Sequence, residues 1–178
     1  MWSALAMSGR LNILALAVLV LGASCVGAAT PSATVVPASA SRPAAGAVPC
    51  GPTEVLVLHH HTHLTLVIRG VVHDVPALIG INSRSICWLH THDATGVIHI
   101  EAADARPLTL GDFFSLWGMS LGPTTLIGQS AGPGEAVQAT VNSIAVSGDS
   151  RAIVLNDMDD IVVQLGPPYG AIPPYFHK

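Results

Sequence analysis

The sequence predicts an α+β domain that is mostly β, a mixed or antiparallel sheet with one packed helix. Three observations point there. Short β-compatible runs recur, several alternating apolar and polar residues, as in Leu64-Thr65-Leu66-Val67-Ile68. One stretch only, 109–118, carries a helical stripe with caps at both ends. Between these segments lie Gly, Pro, Asn and Asp, the residues of turns. A β-grasp-like arrangement is the first expectation, and a small β-sandwich or barrel is the alternative.

In chain order, residues 1–25 have the form of an export signal. Arg10 precedes an apolar run from Leu11 to Leu21, the right length for a signal core and short for a membrane span. Leu21-Gly22-Ala23-Ser24-Cys25 resembles a lipoprotein signal, in which Cys25 would be lipidated; the competing reading is ordinary cleavage near Ala29. Residues 26–49 are nearly all Ala, Pro, Ser, Thr, Val and Gly, a composition that buries no core and is expected to be a disordered tether. Extended, it reaches roughly 70 Å. Residues 50–178 are then a single globular domain, rich in histidine. The expected location is the extracellular face of the membrane, or free secretion.

The chain carries a net charge of -4 with histidine neutral. Without a basic patch, nucleic acid is not an expected partner. Membrane contact is expected only through the lipid anchor. Past the leader two cysteines remain, Cys50 and Cys87. Export would place them in an oxidising compartment, so they are read as a disulfide.

His59-His60-His61-Thr62-His63 leads into the first long strand. Arg69-Gly70 turns the chain into Val71–Val75, a return strand closed by Pro76. Ile86–Thr91 and Val97–Glu101 are two further strands, joined by the turn residues Asp93-Ala94-Thr95-Gly96. A symmetric turn places His90 opposite His99 and Trp88 opposite Glu101. In the stretch 109–118, Thr109 caps the helix, Asp112 completes a capping box and Gly118 ends it. Three more strands are expected at Ala136–Val141, Ile144–Val146 with Ala152–Val154 nearby, and Asp160–Leu165. The acidic stretch between Leu155 and Asp160 lacks a calcium-loop pattern and reads as a solvated turn.

Eight of the nine histidines lie between His59 and His99. Because side chains alternate along a strand, His90, His92, His99 and Glu101 fall on one face. Cys87, Leu89, Ile98 and Ile100 fall on the other, apolar one. His61 and His63 likewise share the face of their strand opposite Leu64, Leu66 and Ile68. Directly opposed residues have Cβ atoms about 5 Å apart, within reach of one ion. The candidate metal ligands are therefore His90, His92, His99, His61, His63 and Glu101, with Asp93 positioned to orient an imidazole from behind. Nitrogen and carboxylate donors suit zinc, copper(II) or iron, and binding is expected to weaken as pH falls through about 6.

His90-Thr91-His92 resembles the metal motif of JAMM-type zinc isopeptidases and the first motif of cupins, but departs from both: Asp93 follows instead of Pro, Ile100 replaces Ser, and Glu101 comes too late for a cupin. From His61 to about Trp117 the chain resembles a family of uncharacterised exported bacterial and archaeal proteins. Its signature is Trp-Leu-His-Thr-His-Asp…Gly…Ile-His-Ile-Glu, with a downstream Thr-Leu-Gly-Asp-Phe-Phe…Trp-Gly helix. The resemblance implies that the histidines form one unit and supplies no reaction.

Three functions stay open. The first is an exported, lipid-anchored or secreted transition-metal-binding protein. The second is a metal-dependent extracytoplasmic enzyme of hydrolase or oxygenase type, with Glu101 as base. The third is a cell-surface interaction domain whose histidines are structural.

Overall fold

The computed structural model describes residues 48–176 and the backbone of Val36–Pro37. The expected signal segment, Cys25 and most of the expected tether therefore lie outside the described residues. Eight strands form the main sheet: β1 (Val36–Pro37), β2 (Leu58–Ile68), β3 (Val71–His73), β4 (Leu89–His90), β5 (Val97–Ala102), β6 (Ala136–Val141), β7 (Ile144–Ser147) and β8 (Asp160–Gly166). Their order is β1-β7-β6-β8-β2-β5-β4, with β3 also paired to β2. The sheet is open, which removes the closed-barrel alternative. The class is α+β, mostly β, with mixed and antiparallel pairing.

The two longest strands, β2 and β8, run parallel to each other, and each has an antiparallel neighbour beyond. Their register explains the core. Leu64 pairs with Ile161, Leu66 with Val163 and Ile68 with Leu165, and all six are buried. β5 adds Ile98 and Ile100, and β4 adds Leu89, to the same apolar cluster.

The helix α1 (Leu110–Trp117) completes that cluster with Leu110, Phe113 and Phe114. Its start is as the sequence predicts. The Asp112 backbone N–H donates to the Thr109 hydroxyl, and the Thr109 N–H donates to the Asp112 carboxylate. Gly118 takes the left-handed conformation at its end.

The predicted strand Ile86–Thr91 is broken at Trp88. Ser85–Cys87 joins a small separate sheet with Cys50–Gly51 and Ile81–Asn82, while Leu89–His90 stays with β5. Trp88 sits between the two sheets, its N–H donating to Pro49 and its carbonyl accepting from Glu101. The acidic turn also differs from a merely solvated one. Asp159 and Asp160 are buried, and the Asp157 carboxylate accepts the backbone N–H of His61. The region 150–154 holds a short 3-10 turn, Ser150–Ala152, and a single bridge from Val154 to Thr109 in place of a strand.

No helix among the described residues is long and apolar enough to cross a membrane. Cys50 and Cys87 are disulfide-bonded, closing a separation of 37 residues. That bond is compatible with an oxidising, extracellular location.

Candidate metal centre

The face of β2 and β5 opposite the core carries the histidines. The ladder sets His59 against Glu101 and His61 against His99. On the far side of β5, His90 pairs with His99. One row across three strands therefore reads His61, His99, His90. The register is the one that a symmetric turn predicts.

The turn itself is fixed by Asp93, whose carboxylate accepts from the Thr95 backbone N–H and hydroxyl. Gly96 then passes close to β2. Its carbonyl accepts from the Leu64 N–H, at a φ of 87°, and a Cβ there would lie 2.5 Å from the Leu64 carbonyl oxygen. Only glycine suits that approach.

Thr91, between the two histidines of the His-x-His pair, is fully buried. Its hydroxyl donates to the Pro76 carbonyl and accepts from the Ile79 N–H. The backbone that carries His90 and His92 is thus held to the preceding segment on both sides.

His90 is wholly buried. Its Nδ1 lies 2.9 Å from the Cys87 carbonyl. A carbonyl only accepts, so Nδ1 carries the proton and Nε2 presents its lone pair to the cluster. The Nε2 of His92 is 3.2 Å away. Burial holds His90 below the usual histidine range. His99 is pushed down to about 4, first by burial and then by the neighbouring imidazoles of His92, His61, His90 and His59.

Glu101 is buried at the centre of these rings. Its Oε1 lies 3.4 Å from His59 Nε2, 3.7 Å from His99 Nδ1 and 3.9 Å from His90 Nε2. The contacts to His99 and His90 are beyond hydrogen-bond distance. Oε2 of Glu101 and Nδ1 of His99 are both buried without a hydrogen-bond partner. His90, His92, His99 and Glu101 each offer a donor atom within 4.8 Å of the others, an arrangement that could hold a metal ion.

The remaining predicted ligands divide. His61 joins a second group, with His59 and His99. His63, on the same face of the same strand, is drawn away from both groups. Its Nε2 donates to the Thr95 carbonyl, and its ring stacks on Tyr175 at 4.1 Å. The chain after β8 explains this. The backbone N–H groups of Tyr175 and Phe176 donate to Asp160, the β8 residue paired with His63. Asp93 makes its hydrogen bonds within the turn, and the Cys87 carbonyl is the group that orients His90. His59 was absent from the predicted ligand set, although it has the parity of His61 and the ladder puts it opposite Glu101.

No known family model, curated protein or solved structure matches the chain.

Proposed function

We propose that this is an exported protein that binds a divalent transition-metal ion through His90, His92, His99 and Glu101. The observation that carries the reading is the geometry around Glu101. Two of these imidazole nitrogens, His99 Nδ1 and His90 Nε2, stand 3.7 and 3.9 Å from Oε1 of the buried Glu101. That is too far to hydrogen-bond. It is close to the separation of about 3.4 Å between two donors on a tetrahedral ion with bonds of about 2.0–2.1 Å. The 3.2 Å gap between His90 and His92 has the same scale. Oε2 of this carboxylate is buried without a hydrogen-bond partner, which is unfavourable, and a cation at that point offsets it.

Three nitrogens and one carboxylate oxygen suit zinc, copper(II) or iron(II). Four protein donors fill a tetrahedral shell and leave no place for a reactive water, which supports binding over hydrolysis. The disulfide and the leader-like first 25 residues support a place outside the cytoplasm.

Elemental analysis of the purified protein, followed by titration of zinc(II), copper(II) and iron(II) into the stripped protein, tests the reading. Wild type is expected to retain metal and to melt at higher temperature with it. The His90→Ala variant is expected to retain less metal and to gain less in melting temperature from it, while His73→Ala matches wild type. Equal binding by wild type and His90→Ala would end the metal proposal in favour of a surface-interaction domain.

A further inference from the structure

We infer that the centre takes two ions: His59 and His61 hold a second divalent transition-metal ion beside the first, with His99 and Glu101 on the shared border. This rests on the metal reading of the first group and extends it.

The donors outnumber the needs of one ion. Five imidazoles and one carboxylate make up the close-set donors, and a tetrahedral ion uses four. They do not form one cage. Donor atoms within 4.8 Å of one another fall into two groups, His90, His92, His99 and Glu101, and His59, His61 and His99. Only His99 belongs to both.

The sheet geometry gives the reason. His61, His99 and His90 lie in one row across three adjacent strands. The outer members of the row, His61 and His90, share no group of mutually close donors, and each shares one with His99. The row therefore suits two ions side by side, one on each flank of β5.

The ring contacts agree. His59 and His61 are 4.7 Å apart by centroid, and His61 meets His99 at 4.6 Å. On the other flank, His90 and His92 are 4.8 Å apart, and His92 meets His99 at 4.4 Å. Glu101 is placed to serve both flanks. Its Oε1 lies 3.4 Å from His59 Nε2 and 3.9 Å from His90 Nε2, and its Oε2 is buried with no hydrogen-bond partner. A carboxylate has two oxygens and is able to bridge two cations. His60, between His59 and His61 in sequence, has the opposite strand parity and belongs to neither group.

The test is a zinc(II) stoichiometry on the full chain, by equilibrium dialysis and elemental analysis. Wild type is expected to bind two equivalents. A His59→Ala/His61→Ala variant is expected to bind one, as is a His90→Ala/His92→Ala variant, and His60→Ala is expected to keep two. Loading wild type with two equivalents of copper(II) should give an electron paramagnetic resonance spectrum broadened by coupling between neighbouring ions. A single equivalent in wild type overturns the two-ion centre by itself, with no reliance on the folding of any variant. If that equivalent survives in His59→Ala/His61→Ala, the one-ion function stands. Two equivalents with uncoupled copper spectra also overturn the shared centre. Zero equivalents in wild type overturn both this inference and the function it rests on.

Discussion

The two faces of β2 and β5 are made by the same backbone and follow opposite rules. On one face Leu64, Leu66, Ile98 and Ile100 interlock with α1 and are essentially closed to solvent. On the other, His59, His61, His99 and Glu101 crowd together with buried donors that lack hydrogen bonds. The first face gains stability from apolar burial alone. The second leaves Glu101 Oε2 and His99 Nδ1 without partners, a deficit that a bound cation would offset. Stability and binding are thus separated by residue parity, one residue apart along each strand.

That separation can be broken from either side. The largest effect is expected from the disulfide of the small separate sheet. Replacing both Cys50 and Cys87 by Ser removes a cross-link over 37 residues, worth about 4 kcal/mol in the chain-entropy account. Chemical denaturation should show that loss, and metal binding should weaken with it, because the Cys87 carbonyl orients His90. Next comes the core face. Leu66→Ala, at a site fully closed to solvent, should lower unfolding free energy by about 2–5 kcal/mol. The metal content of the folded fraction should stay at the wild-type value.

On the histidine face the sign reverses. Glu101→Gln removes a buried charge that has no hydrogen bond at Oε2. The stripped variant should melt no lower than wild type, while its affinity for zinc(II) falls at least tenfold. A stripped Glu101→Gln that melts several degrees lower would mean the carboxylate stabilises the apo fold by itself.

A smaller effect concerns pH. Unfolded His99 takes up a proton near 6.5, whereas burial and four neighbouring rings delay this in the fold to about 4. Between those values the unfolded chain binds more protons, so stability of the stripped protein falls as pH drops from about 6.5 toward 4 and is flat above. His90, also held low by burial, acts in the same direction. The melting temperature against pH should show this slope, and His99→Asn should reduce it. Since His99 resists protonation, proton competition at this ligand is displaced below the value near 6 expected of an ordinary histidine. The smallest effect is reserved for His63→Ala. That ring is engaged by Thr95 and Tyr175, so the variant should keep its full metal content and lose only local stability.

Much of this arrangement is legible in the residues. The alternation of Leu64, Leu66 and Ile68 with His61, His63 and Thr65 fixes the core face of β2. The Asp93–Gly96 turn fixes the register that sets His90 against His99. The capping residues Thr109, Asp112 and Gly118 mark both ends of α1. What the residues do not reveal depends on distant chain. His63 has the parity of a ligand, but residues far beyond it in sequence occupy its ring. His59 has the parity too, and only the pairing of β2 with β5 shows that it faces Glu101. Parity tells which face a side chain occupies; it does not tell what else arrives there. The break at Trp88 is of the same kind, since its N–H is taken by Pro49.

The parallel pairing of β2 with β8 joins segments far apart in the chain. The hydrogen bond from His61 to Asp157 joins residues 96 apart, whereas the disulfide spans 37. The histidine-bearing strands β2, β4 and β5 follow one another in the chain, and the strand that covers the other edge of β2 comes after all of them. Closing so long a loop is slow, because its entropy is lost before any contact repays it. Until β8 docks, β2 presents an open edge with Leu64, Leu66 and Ile68 beside it, the kind of edge that pairs with other chains. A chain truncated before Asp160 would keep every proposed ligand and still be expected to aggregate.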